Sequence, residues 1–61
     1  MERILRIKEV EHLTGLGKST IYYFIERGEF PRPVRLGKKT VGWHERDIKE
    51  WILSRPPMRD H

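Results

Sequence analysis

The sequence predicts a small α+β domain, mostly helical, with about three helices and a β-hairpin. Three observations predict it. Apolar residues recur at helical spacing in three stretches, each closed by glycine or proline. Between the second and third stretches the spacing switches to alternation around a glycine-containing turn. At 61 residues, one domain is the ceiling.

Residues 3–6, Arg-Ile-Leu-Arg, read as a short extended lead-in. Ile7, Val10 and Leu13 recur every three residues with charged neighbours between them, which predicts an amphipathic helix over about 8–14. Gly15 can take the left-handed conformation that ends a helix. Leu16 is then free to tuck onto the core, and Gly17 permits a second bend. A second helix is expected over about 18–27. Ile21, Phe24, Ile25 and Gly28 fall within an arc of roughly 100° on a 3.6-residue wheel. The opposite face carries Ser19, Tyr22, Tyr23, Glu26 and Arg27. Two helices joined by a short glycine turn make a helix-turn-helix pattern.

Phe30-Pro31-Arg32-Pro33 cannot be helical, because proline lacks the backbone donor and restricts the residue before it. Val34-Arg35-Leu36 and Val41-Gly42-Trp43 alternate on either side of Gly37-Lys38-Lys39-Thr40. That is a hairpin with its lysines at the tip, and Val34, Leu36, Val41 and Trp43 are expected to face inward. The third helix is expected over about 45–54, with Ile48, Trp51 and Ile52 inward. Glu45 and Asp47 lie in its first turn, where the helix dipole favours acids, and Glu45 and Lys49 are spaced as an i,i+4 pair. Pro56-Pro57 stops it. The expected organisation is a folded domain over 1–55 and a flexible tail over 56–61.

Composition narrows the function. A chain this short buries only about 60% of its unfolded surface, so an enclosed substrate cavity would consume much of its core. No cysteine is present, so there is neither a disulfide nor a thiolate metal site. That suits a reducing, cytoplasmic setting. No apolar run is long enough to span a membrane. His12, His44 and His61 are too dispersed for a sequence-evident metal site, and nothing places a histidine beside Ser19 or Ser54. Gly17-Lys18-Ser19 matches the end of a P-loop, but the required earlier glycine is His12 and a helix precedes it. No enzyme, no cofactor and no small-molecule substrate are expected.

The formal charge is +4, and its location is specific. Residues 1–29 hold five basic and five acidic side chains, and residues 45–61 hold four of each. The whole surplus lies on Arg32, Arg35, Lys38 and Lys39, with no acid among residues 30–44. An exposed helix face beside an acid-free basic hairpin has the logic of a winged reader of double-stranded DNA. A helix enters the major groove, where base edges are distinguishable, and the hairpin holds phosphate. Ser19 and Thr20 open the second helix, where hydroxyls and free amides suit a phosphate. Tyr22 and Tyr23 offer flat faces and hydroxyls, and Arg27 suits a guanine or a phosphate. Each residue also has a plainer reading. Lys38 and Lys39 serve as solubilising turn residues, Tyr22 and Tyr23 as boundary residues, and Ser19 or Thr20 as a helix cap.

Over Ile4 to Leu53 the chain resembles the AlpA family of small phage and prophage regulators. The resemblance is carried by Leu5-Arg6-Ile7-Lys8-Glu9-Val10, Leu13-Thr14-Gly15-Leu16 and Lys18-Ser19-Thr20-Ile21-Tyr22. It continues through Gly28-Glu29-Phe30-Pro31-Arg32-Pro33-Val34-Arg35-Leu36-Gly37, then Val41-Gly42-Trp43, Asp47-Ile48 and Trp51-Ile52. It implies a MerR-like winged helix-turn-helix that controls transcription, often of a prophage integrase gene. Lys18, Ser19, Thr20, Tyr22, Tyr23 and Arg27 then match a recognition helix, and Arg35, Lys38 and Lys39 match the wing. Two positions depart from the family pattern. Gly17 stands where serine is usual, and Tyr23 stands where arginine is frequent, which suggests a different target sequence. The expectation is a cytoplasmic regulator, monomeric in solution, with pairing on DNA left open. The alternatives are an excisionase that bends attachment-site DNA and, from another class, a protein-interaction module docking through Tyr22, Tyr23 and Phe30.

Overall fold

A computed structural model describes residues 3–58. The order is β1 (Ile4–Leu5), α1 (Ile7–Thr14), α2 (Lys18–Glu26), β2 (Val34–Arg35), β3 (Val41–His44) and α3 (Glu45–Leu53). The three helices fall within one or two residues of their expected bounds. The extended lead-in becomes a strand. Ile4 pairs with His44 and Leu5 with Trp43, so β1 adds to the hairpin as a third antiparallel strand. The strand order is β1-β3-β2.

The helix ends follow from local chemistry. α1 begins with the Glu9 carboxylate accepting the Arg6 backbone N–H at 3.0 Å. This is one half of a capping box, since an arginine side chain offers no acceptor for the other half. The same carboxylate accepts from Arg3 at 2.7 Å, and the Arg6 amide together with Arg3 holds its pKa below the usual glutamate range. Gly15, at φ +74°, ends α1 and donates its N–H to the Glu11 carbonyl at 2.8 Å. Gly17 is the N-cap of α2. At the far end, Gly28 (φ +74°) donates to the Ile25 carbonyl at 3.0 Å and Glu29 to that of Phe24 at 2.8 Å. That bond pair is a Schellman stop, which needs the left-handed conformation glycine adopts without strain.

The core draws one fully or nearly buried residue from almost every segment: Leu5, Val10, Ile21, Phe30, Trp43 and Ile48. Ile7, Leu16, Phe24, Ile25, Val41 and Trp51 pack around them. Each fully buried apolar side chain contributes about 1.5–3 kcal/mol of transfer free energy, so a core this small has no spare member.

Three residues expected inside lie further out, each for a geometric reason. Leu13 is 47% exposed. Three-residue steps fall short of a full helical turn, so Ile7, Val10 and Leu13 spiral across the face and only the middle one is sealed. On the last turn of α3, Trp51 takes the inward position and leaves Ile52 at the boundary. Leu36 is 46% exposed because of register. Val34 pairs with Gly42 and Arg35 with Val41. Residues directly opposite share a face, so Val34 and Leu36 lie on the sheet face away from Val41 and Trp43. Arg35, not its apolar neighbours, shares the face with Val41.

Candidate nucleic-acid interface

The outward face of α2 with its C-cap Arg27 and the β2–β3 hairpin hold the residues matched to DNA contact, whereas Phe30, expected to help form a protein-docking surface, is buried in the core against Trp51. Lys18, Ser19, Thr20, Tyr22, Tyr23, Glu26 and Arg27 are all exposed. The N-cap, Gly17, has no side chain to cap with, and the first turn carries no acid. Neither serine nor threonine caps this helix, so their hydroxyls remain at the surface beside the first-turn amides. α1 and α3, by contrast, begin with Glu9 and with Glu45 and Asp47.

The two tyrosines differ. Tyr22 leans on the core, its ring tilted against Trp43 with centroids 6.4 Å apart, and is 37% exposed. Tyr23 is 55% exposed and stands over the helix C-terminus. The Arg27 guanidinium lies 5.5 Å from its ring centroid, and Nη1 donates to the Tyr23 hydroxyl at 3.3 Å. Arg27 Nε also donates to Glu29 Oε1 at 3.3 Å. The Glu29 carboxylate and the Tyr23 hydroxyl favour the guanidinium charge and push its pKa up.

The wing is set beside this face by the sheet. Lys38 and Lys39 are exposed in its turn, which the Leu36 N–H closes on the Thr40 carbonyl at 2.7 Å. Arg35 stands on the sheet face that Trp43 turns toward α2, with Nη1 3.5 Å from the Lys38 carbonyl. The connector between helix and wing is fastened twice. Trp43 Nε1 donates to the Pro31 carbonyl at 3.0 Å, and Trp51 Nε1 donates to the Glu29 carbonyl at 2.8 Å. Phe30 is wedged edge-on against Trp51 with centroids 4.7 Å apart. These fastenings fix where the wing starts relative to α2. Reading the residues singly missed them. The available signal was that a buried indole N–H seeks an acceptor, and two tryptophans follow a stretch rich in proline, whose carbonyls have no ladder partner.

Among the described residues no three of His, Asp and Glu gather as metal ligands. No helix there is long and apolar enough to cross a membrane.

An exposed helix following a tight turn, with a short basic hairpin fastened at its side, defines a small winged helix-turn-helix domain. The chain belongs to the AlpA family, described as prophage CP4-57 regulatory protein (AlpA), whose family model matches residues 3–56. Two relatives fit this assignment. One is an uncharacterised protein, ORF88, of Enterobacteria phage P4, 50% identical over 54 residues, covering 88% of this chain and 61% of that protein. The other is the DNA-binding transcriptional activator AlpA of Escherichia coli K12, 39% identical over 59 residues, covering 87% of this chain and 84% of that one. The chain thus spans about three-fifths of the phage P4 relative.

Proposed function

We propose that this chain is a sequence-specific, double-stranded DNA-binding transcriptional regulator of the AlpA type, of phage or prophage origin. The observation that carries the reading is the separation of charge from surface. The surplus of four positive charges lies on the connector and wing, while the exposed face of α2 carries Lys18 and Arg27 against Glu26, with Glu29 close by. Phosphate contacts fix register and supply affinity, and base-edge contacts supply discrimination, so the two tasks fall to different elements. In this reading Arg35, Lys38 and Lys39 hold the backbone. Tyr22, Tyr23 and Arg27 face the major groove, and Lys18, Ser19 and Thr20 meet a phosphate at the start of α2. The named function of the Escherichia coli relative supports the same class.

Salt dependence is the test. Neutralising about four to six phosphates gives a slope of log affinity against log salt near −4 to −5. Binding that is insensitive to salt, or no binding to any duplex, contradicts the proposal.

A further inference from the structure

Glu29 is an acid beside the face that this reading turns toward a polyanion, and its placement is unusually well fixed for an exposed side chain. Its backbone N–H is bonded to the Phe24 carbonyl at 2.8 Å, and its own carbonyl accepts Trp51 Nε1 at 2.8 Å. The residue is therefore tied to α2 on one side and α3 on the other. Its carboxylate meets one edge of the Arg27 guanidinium, Oε1 accepting from Nε at 3.3 Å and Oε2 from Nη2 at 3.4 Å. Tyr23 receives Nη1 at 3.3 Å and lies against the same group.

A guanidinium has five N–H donors. With three engaged here, one remains on each of Nη1 and Nη2. Two donors on neighbouring nitrogens match the O6 and N7 acceptors of a guanine in the major groove. The Arg27–Glu29 pair is neutral, so it adds nothing to the general attraction for phosphate, and exposed ion pairs contribute little to fold stability. What the carboxylate does supply is a fixed orientation.

We propose that Glu29 is a positioning residue that holds Arg27 with its two remaining donors presented to a guanine edge. The proposal rests on the DNA-binding reading and adds to it a base preference and the residue that enforces it.

The experiment begins with duplexes selected by the wild-type chain from a random-sequence pool. Each guanine of the selected site is then replaced singly by 7-deazaguanine, which lacks the N7 acceptor, or by adenine. One guanine is expected to lose about tenfold in affinity on replacement, within the range of a bidentate base contact. Arg27→Ala abolishes that penalty. Glu29→Gln reduces it to about threefold, while affinity for a scrambled duplex stays level or rises because a negative charge has gone. Glu29→Asp keeps the charge but shortens the arm, and also reduces the penalty. In an Arg27→Ala background, Glu29→Gln changes no discrimination. A Glu29→Gln variant with the full guanine penalty overturns the proposal. So does a loss shared equally by every duplex, which would place Arg27 on phosphate. If the wild-type chain selects a site whose guanines are all replaceable, positioning fails while DNA binding stands. If it selects no duplex at all, both fail.

Discussion

Gly42 is the position where a single atom has most to disturb. A Cβ placed there would lie 2.6 Å from Ile4 Cγ2, 2.9 Å from the Leu5 carbonyl oxygen and 3.0 Å from Leu36 Cδ1. The carbonyl belongs to the neighbouring strand and cannot swing aside, so β1 and β3 must part. Gly42→Ala is expected to cost about 1–3 kcal/mol, the usual range for overpacking, read as a lower urea midpoint. Trp43 combines two roles. It is fully buried and its indole N–H satisfies the Pro31 carbonyl. Trp43→Phe removes that bond as well as volume, and an expected loss of about 2–4 kcal/mol would be read in the same urea titration. Alternation turned Trp43 inward as found, but neither the Pro31 partner of its indole nor the crowding at Gly42 was legible in the sequence. Gly42 reads there only as the middle position of the alternating stretch Val41-Gly42-Trp43. The close approach that requires it comes from β1, a two-residue strand that no periodicity can announce.

At the scale of elements, the helices were legible because their signals are local. Apolar spacing set their faces, and Gly15 and Gly28 set their ends. Gly28→Ala has open space for its Cβ but must hold φ +74°, so backbone strain of about 1 kcal/mol is expected, measurable by thermal melting. α1 carries a pH dependence. Glu9 has its pKa depressed, first by the Arg6 backbone N–H and also by Arg3. A depressed carboxylate stabilises the fold above its unfolded pKa and loses that effect as pH falls through the lower folded value. The stability difference between wild type and Glu9→Gln is therefore expected to be present at neutral pH and to vanish on the acid side of the ordinary glutamate range. Urea titrations across that interval check it; a difference that persists or grows in acid excludes the assignment. The hairpin was legible as a hairpin but not in its register. Alternation shows that residues two apart share a face, and only pairing across the strands decides which face is inward. Val34 opposite Gly42 placed Leu36 outside and brought Arg35 to the side of Val41 and Trp43.

For the whole molecule, the proposed division of labour follows from where the charge lies. The candidate site was legible to the extent that exposure follows from the helical wheel, as it does for Tyr22, Tyr23 and Arg27. The constraint on Arg27 was not, because Glu29 lies past the end of α2 and is oriented by Trp51 from α3. In the proposed division, the wing binds every duplex alike while α2 chooses among them. Two variants measured on two DNAs, a duplex selected by the wild-type chain and a scrambled one, separate these roles. Lys38→Ala combined with Lys39→Ala is expected to weaken both by the same factor and to flatten the salt slope by about 2. Tyr23→Ala is expected to change the ratio between the two duplexes and leave the salt slope alone. A lysine double variant that alters the ratio, or a Tyr23→Ala loss equal on both duplexes, would contradict the account.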